Sequence, residues 1–195
     1  MIVLASASST RAALLRAAGV TFEVVSSGVD EGAVKTRMLR SDAIANEIAG
    51  ELALAKALAV SASRSDLVIG ADQTLELDGE LFDKVETLDD ARERLRQLRG
   101  RTHTLHSAVA LARNGETLWQ AVTSPKLTMR AFSDTWLETY LATAGEAALN
   151  SVGCYNLEGP GAQLFAVIEG DYFSVLGLPL IELLAALRRE AVLDL

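Results

Sequence analysis

The chain opens on Ile2-Val3-Leu4-Ala5, an apolar run that reads as a strand buried on both faces. Ser6-Ala7-Ser8-Ser9-Thr10 interrupts it. Leu14, Leu15 and Ala18 then recur at helical spacing up to Gly19, where a left-handed residue is expected to end the helix. Residues 21–26, with Phe22 and Val24 on one side, predict a second strand, and residues 41–63 predict a long helix with Ile44, Ile48, Leu52 and Val60 on one stripe. Leu67-Val68-Ile69 predicts a buried strand ending near Gly70, and Asp78-Gly79 between alternating apolar residues predicts a tight hairpin. That reading puts Asp72 at a strand end and Lys84 just past the return strand. A helix capped by Thr87 or Asp89 follows, through Ala91 and Leu95 to about Leu98. Residues 105–112 and 117–123 pair about Asn114-Gly115, and residues 126–132 add a strand. Ser133 caps a helix to Ala144 whose core side is Trp136, Leu137, Tyr140 and Leu141. Residues 149–161 are irregular and Gly-rich, and the chain closes on an amphipathic helix at about residues 179–189. Strands and helices alternate early and cluster later, which predicts one mixed α/β domain over residues 1–195.

Composition sharpens the picture. Half the residues are hydrophobic, enough for a real core and against disorder. The net charge of −8 disfavours a stable nucleic-acid partner. Cys154 is the single cysteine, so no intrachain disulfide forms. Residues 1–7 lack the basic segment and long apolar core of a secretory signal, and no apolar run reaches the roughly 18–20 residues of a membrane span. The expectation is a soluble cytoplasmic protein with no membrane partner.

Several polar residues stand out against this frame. Ser6, Ser8, Ser9 and Thr10 place hydroxyls and backbone N–H groups at a helix N-terminus, which suits an anion; they also suit simple capping. Arg11 in the first turn opposes the helix dipole by about 0.3–1 kcal/mol, a cost that a bound anion would reverse. Lys56 falls on the apolar stripe of the long helix, either snorkelling at its margin or aimed at a phosphate. Asp72 and Lys84 offer an acid to hold metal or take a proton and a cation to neutralise phosphate charge. Asp30 and Glu31 form either a solvated turn or a metal ligand, and Glu158 either reads a base or is a loop acid. His103 and His106 are three residues apart on a strand and so cannot form a metal pair; His103 reads as a structural hydrogen-bonding residue. Cys154 reads as a small core residue. No phosphate-binding or dinucleotide glycine motif is present. Unaided, the residues define an anion-binding α/β domain with Asp72, Lys84, Lys56 and Arg11 at its site.

In order, Leu4-Ala5-Ser6-Ala7-Ser8-Ser9-Thr10-Arg11, Asp30-Glu31, Leu54-Ala55-Lys56-Ala57, Gly70-Ala71-Asp72, Lys84, Leu98-Arg99-Gly100-Arg101-Thr102-His103, Glu158-Gly159 and Glu169-Gly170-Asp171-Tyr172 resemble the Maf nucleotide pyrophosphatases. The resemblance covers nearly the whole chain. It implies a mixed-sheet, two-lobed α/β fold with a central cleft, similar to that of the inosine-triphosphate pyrophosphatases. It implies hydrolysis of a nucleoside triphosphate to the monophosphate and pyrophosphate with a divalent cation, Mg²⁺ or Mn²⁺, and homodimers are common in the family. By position, Asp72 matches the catalytic carboxylate and Glu31 an acid near the metal. Ser6, Ser8, Arg11, Lys56 and Lys84 match groups that hold phosphates. The chain departs from the family where Ser-Pro-Arg-Arg becomes Ser8-Ser9-Thr10-Arg11 and where Val85, not Pro, follows Lys84. Thr10, Gln73 and Glu158 fall at positions that sort its branches. Gln73 and Glu158 resemble the 7-methyl-GTP branch rather than the dTTP and UTP branch, while Thr10 matches neither. A carboxylate suits a guanine edge, which offers two neighbouring N–H donors. The alternatives are a dTTP/UTP-type pyrophosphatase and a non-catalytic nucleotide sensor in cell-division control.

Overall fold

The structure, a computed structural model, describes residues 1–193. The elements run β1 (Ile2–Ala5), α1 (Ser9–Ala17), β2 (Glu23–Val24), α2 (Glu31–Leu39), α3 (Ala45–Ser61), β3 (Leu67–Leu77), β4 (Glu80–Phe82) and α4 (Leu88–Leu98). They continue with β5 (Thr102–Arg113), β6 (Glu116–Thr123), β7 (Lys126–Met129), α5 (Asp134–Ala144), β8 (Phe165–Glu169), α6 (Tyr172–Val175) and α7 (Leu180–Arg189). The mixed sheet has the hydrogen-bonded order β2-β1-β3-β5-β7-β8, with β4 on β3 and β6 on β5. The chain divides into two compact units. One holds residues 1–73, 106–124 and the chain from Asp171 on; the other holds residues 74–105 and 125–170.

In the first unit β1 pairs in parallel with β2 and β3, and both faces of β1 and of the paired part of β3 are covered. Ile2, Leu4, Leu67, Ile69, Ala71, Val109 and Leu111 pack with Leu14 and Leu15 of α1 and Leu183 and Leu187 of α7. The alternate residues Val3, Ala5, Val68, Ala108 and Ala110 pack with Ala49, Ala53, Ala57 and Val60 of α3. The period-2 alternation therefore sends one set of side chains to each helical layer. The α3 side is built from small residues, and α3 lies close. A Cβ on Gly70 would sit 2.1 Å from the Ala53 carbonyl oxygen and 2.6 Å from the Ala57 nitrogen. In the second unit β5 pairs antiparallel with β7, and β7 with β8, while Ala91, Leu95 and Leu98 of α4 are fully buried.

Both predicted hairpin turns form. Asp78 and Gly79 have φ of 52° and 85°, and Asn114 and Gly115 have 53° and 77°, the paired positive values of a type I′ turn. Other expectations change. β3 does not stop after Ile69; it runs eleven residues and Asp72 lies inside it, so the strand-end placement was wrong. The polar run Asp72-Gln73-Thr74 resembles a strand end in sequence, yet Asp72 and Thr74 are buried. The predicted strand at residues 21–26 shrinks to Glu23–Val24, because only those residues pair with β1. β7 ends at Met129 rather than at Phe132. Ala18 is exposed and Ala12 takes its place in the core. Ile44 is the N-cap of α3 and is exposed. α2 was not predicted: it contains one buried residue, Val34, and so carries almost no apolar stripe. Asp30 caps it by accepting from the Ala33 N–H at 2.9 Å, and Arg37 ties it to Glu51 of α3 at 2.7 Å.

Gly70→Ala tests the close approach of α3. The added methyl meets backbone on α3 rather than a movable side chain, so the loss should reach about 3 kcal/mol. Urea unfolding of the variant measures it; a loss below about 1 kcal/mol would mean that α3 gives way freely.

Candidate active site

β1 delivers Ser6 to the start of the hydroxyl-rich turn. Ser6 is buried, and its Oγ accepts from the Ser8 N–H at 3.3 Å and from Arg11 Nη1 at 3.1 Å. Ser8 caps α1, its Oγ accepting from the Arg11 N–H at 3.3 Å. The turn's N–H groups at positions 8 and 11 are thus committed to its own hydroxyls. Thr10 is half-buried in the first turn of α1.

The Arg11 guanidinium turns to the protein. Nε donates to the Gly177 carbonyl at 2.8 Å, and Nη1 donates to the Ala71 carbonyl at 3.0 Å as well as to Ser6. Burial lowers its pKa from the ordinary value, with the charges of Asp72 and Glu31 opposing that shift. The Ala71 carbonyl belongs to the peptide that precedes Asp72, so Arg11 fixes the backbone at the acid. These bonds make Arg11 a brace between the turn, β3 and the segment after α6. Gly177, with φ of 93°, adopts the left-handed backbone that a glycine tolerates there.

The alternation that sends Val68 toward α3 also sends Gly70 and Asp72 there. Asp72 meets Lys56, which α3 carries one residue before Ala57. Lys56 Nζ lies 2.5 Å from Asp72 Oδ1 and 2.7 Å from Glu31 Oε1. Lys56 and Asp72 are only 6% and 7% exposed, which rules out a snorkelling lysine. Glu31 opens α2, where the helix dipole favours a carboxylate. Burial pushes its carboxyl up, but the hydrogen bond and charge of Lys56, with Lys35 and Arg11, outweigh burial and hold it below the usual range. Glu31 is therefore part of the cluster while its side chain stays 47% exposed.

Gln73 points its amide away from Asp72. Nε2 donates to Ser107 Oγ at 2.8 Å and to the Ser174 and Val175 carbonyls, both at 3.2 Å. Ser107 Oγ donates in turn to the Ser174 carbonyl at 2.6 Å. Lys84 and Glu158 belong to the other unit. Lys84 is exposed on the segment between β4 and α4, beside a shallow depression of about 480 Å³ lined by Thr87, Asp90, Glu93, Arg94 and Gln97. Glu158 is exposed in the Gly-rich loop, its N–H donating to Asn156 Oδ1 at 3.0 Å.

The remaining candidates take structural places. Cys154 is fully buried, and burial pushes its thiol up to about 11, far from a nucleophile. His103 Nε2 lies 2.7 Å from the buried Tyr155 hydroxyl, while His106 Nδ1 lies 2.9 Å from Ser124 Oγ. The two histidines thus serve different partners.

Among the described residues no group of three or more His, Cys, Asp or Glu is placed to hold a metal. Two carboxylates nevertheless converge on one ammonium. Two hard oxygen donors fit a divalent cation of the Mg²⁺ class, which commonly takes one or two carboxylates and completes its shell with phosphate oxygens. No helix among the described residues is long and apolar enough to cross a membrane.

Residues 1–190 match the family described as Maf-like protein, and the chain belongs to that family. A relative from Caulobacter vibrioides, named nucleoside triphosphate pyrophosphatase, is 56% identical over 98% of this chain and 96% of its own length. A relative from Hyphomonas neptunium with the same name is 49% identical over 98% and 97%. A relative from Brucella abortus, named 7-methyl-GTP pyrophosphatase, is 47% identical over 99% and 98%.

His103 sets a pH dependence. Burial lowers its pKa to about 4, below its ordinary value near 6.5. The unfolded chain therefore binds the proton first, and stability falls as pH drops from about 6.5 toward about 4. His103→Gln should reduce the slope in that window by up to about 1.4 kcal/mol per pH unit. Urea midpoints of both proteins at pH 7 and pH 5 check this; identical slopes would show that His103 is not the group responsible.

Proposed function

We propose that this chain hydrolyses a nucleoside triphosphate to the monophosphate and inorganic pyrophosphate, with a modified purine such as 7-methyl-GTP as the favoured substrate. The observation that carries the reading is the buried Lys56 ammonium held by Asp72 and Glu31, beside the Ser6–Ser8 turn. The names of the relatives support the same chemistry.

Asp72 is the group best suited to orient the attacking water and take its proton. It is buried, fixed by Lys56, and its backbone is braced by Arg11. The water oxygen bonds to the α-phosphorus, the bond from that phosphorus to the bridging oxygen breaks, and pyrophosphate departs. Lys56 and Lys84 supply the positive charge that the phosphates require as this charge develops. Ser6 and Ser8 shape the turn on which the phosphates rest. Glu31 and Asp72 would hold Mg²⁺ or Mn²⁺, which would supply Lewis-acid charge to phosphate oxygens.

Base choice rests on Gln73 and Glu158. With its amide nitrogen engaged by Ser107 and α6, Gln73 can offer a base only its carbonyl oxygen. An acceptor at Gln73 and a carboxylate at Glu158 both favour a base rich in N–H donors, as guanine is and uracil is not.

Asp72→Asn should lower kcat by about 10²–10⁴-fold, the usual cost of losing a general base, with circular dichroism confirming a retained fold. More than about half of the activity left would remove Asp72 from the role of base. Lys84→Ala should cut turnover far more than it lowers the melting temperature. Pyrophosphate release from a panel of 7-methyl-GTP, GTP, UTP and dTTP tests the base. Preference for UTP and dTTP would overturn the assignment of Gln73 and Glu158, and no release from any of them would favour a nucleotide sensor.

A further inference from the structure

The segment that carries Lys84 is short of regular structure. β4 ends at Phe82 and α4 begins at Leu88, so Lys84 lies in the connection between them. Its backbone there must be held by something other than a helix or a sheet ladder. Arg94, one turn and a half into α4, holds it. Its Nη1 donates to the Asp83 carbonyl at 2.9 Å, the carbonyl of the peptide that joins Asp83 to Lys84. The same nitrogen donates to the Val152 carbonyl at 2.7 Å, in the Gly-rich loop that also carries Glu158. The guanidinium lies over the Phe82 ring, 4.4 Å from its centroid. Phe82 is itself fixed by pairing with Leu75 of β3. One side chain thus grips the residues immediately before Lys84 and ties them to a second loop. Burial lowers the Arg94 pKa from its ordinary value, with Cys154 and Asp83 opposing, in keeping with a guanidinium drawn into the protein rather than a solvated one.

We propose that Arg94 is a positioning residue for the hydrolysis: it touches no substrate and acts by holding the Asp83–Lys84 peptide, and with it the Lys84 ammonium, where the triphosphate needs positive charge. The inference rests on the role given to Lys84 above. The chemistry favours arginine for this task. A planar guanidinium stacks on a ring while its edge serves two carbonyls, which a lysine ammonium cannot do at once. Because its acceptors are neutral carbonyls, the positive charge of Arg94 is not cancelled by an ion pair with a carboxylate at those contacts.

Steady-state pyrophosphate release by Arg94→Ala, Arg94→Lys, Lys84→Ala and the double variant Lys84→Ala/Arg94→Ala tests this, with the best of the four triphosphates above as substrate. Arg94→Ala should lower kcat about tenfold or more, since a misplacement near 1 Å costs up to about 10²-fold, and should change KM by less than about threefold. Arg94→Lys should recover only part of that loss. In the Lys84→Ala background the Arg94→Ala change should cost no more than about twofold, because the group it positions is gone. A general loosening of the fold would instead multiply the two losses. Thermal unfolding accompanies each variant, and if Arg94→Ala does not fold, Arg94→Lys alone and combined with Lys84→Ala gives the same cycle. Multiplied losses, or an Arg94 variant as active as the parent while Lys84→Ala is not, overturn the inference alone. Full activity of Lys84→Ala overturns it together with the role of Lys84.

Discussion

A lysine that is 6% exposed between a helix and a sheet is tolerable only while carboxylates stay with it. Lys56 meets that condition twice, and each partner depends on a different part of the chain. Asp72 reaches it because β3 continues past Gly70 with its alternation intact. Glu31 reaches it because Asp30 starts α2 at the right residue. The close packing of Ala53 and Ala57 against Gly70 sets the distance between helix and strand. Breaking the buried Lys56–Asp72 pair by removing one partner costs about 3–5 kcal/mol. The same cluster gathers hard oxygen donors and a cation next to the β1–α1 turn, which is why fold and candidate chemistry cannot be separated here.

Two guanidinium groups use one device. Arg11 Nη1 binds the carbonyl of the peptide before Asp72, and Arg94 Nη1 binds the carbonyl of the peptide before Lys84. In each case the charged group holds the backbone next to a residue to which the proposed hydrolysis assigns a role. Arg11 also bridges to Gly177, and Arg94 to Val152, so each brace joins segments far apart in sequence. Pre-setting a site in this way lowers the ordering that substrate binding must otherwise supply. It also accounts for Arg11 in the first turn of α1, where the helix dipole disfavours a cation: its guanidinium is taken up by three oxygens elsewhere.

Much of this architecture is legible in the residues. The apolar run of β1, the capped helices α4 and α5, and both I′ hairpins follow from local rules, since caps, turn residues and side-chain period act over a few positions. α2 escapes because nine residues with one buried side chain give no periodic signal; Asp30 followed by Glu31 is the only local hint. The true length of β3 escapes because Asp72, Gln73 and Thr74 look like the end of a buried strand. They remain in it because Lys56 neutralises Asp72, and Ser107 with the α6 carbonyls satisfies Gln73.

The sequence by itself determined which residue types are available and where most of the regular elements lie, and its ordered motifs carry the family. Tertiary structure decided what each polar residue does. Lys56 became a buried ion-pair centre instead of a surface lysine, Arg11 became a brace on the backbone before Asp72, and Arg94, unremarked along the chain, took hold of the Asp83 carbonyl. The reason is physical: a charged or amide group takes its role from the partners that replace its water. Those partners lie 16 residues away for Lys56 and Asp72, 58 for Arg94 and Val152, and 166 for Arg11 and Gly177. Local sequence rules do not span such separations.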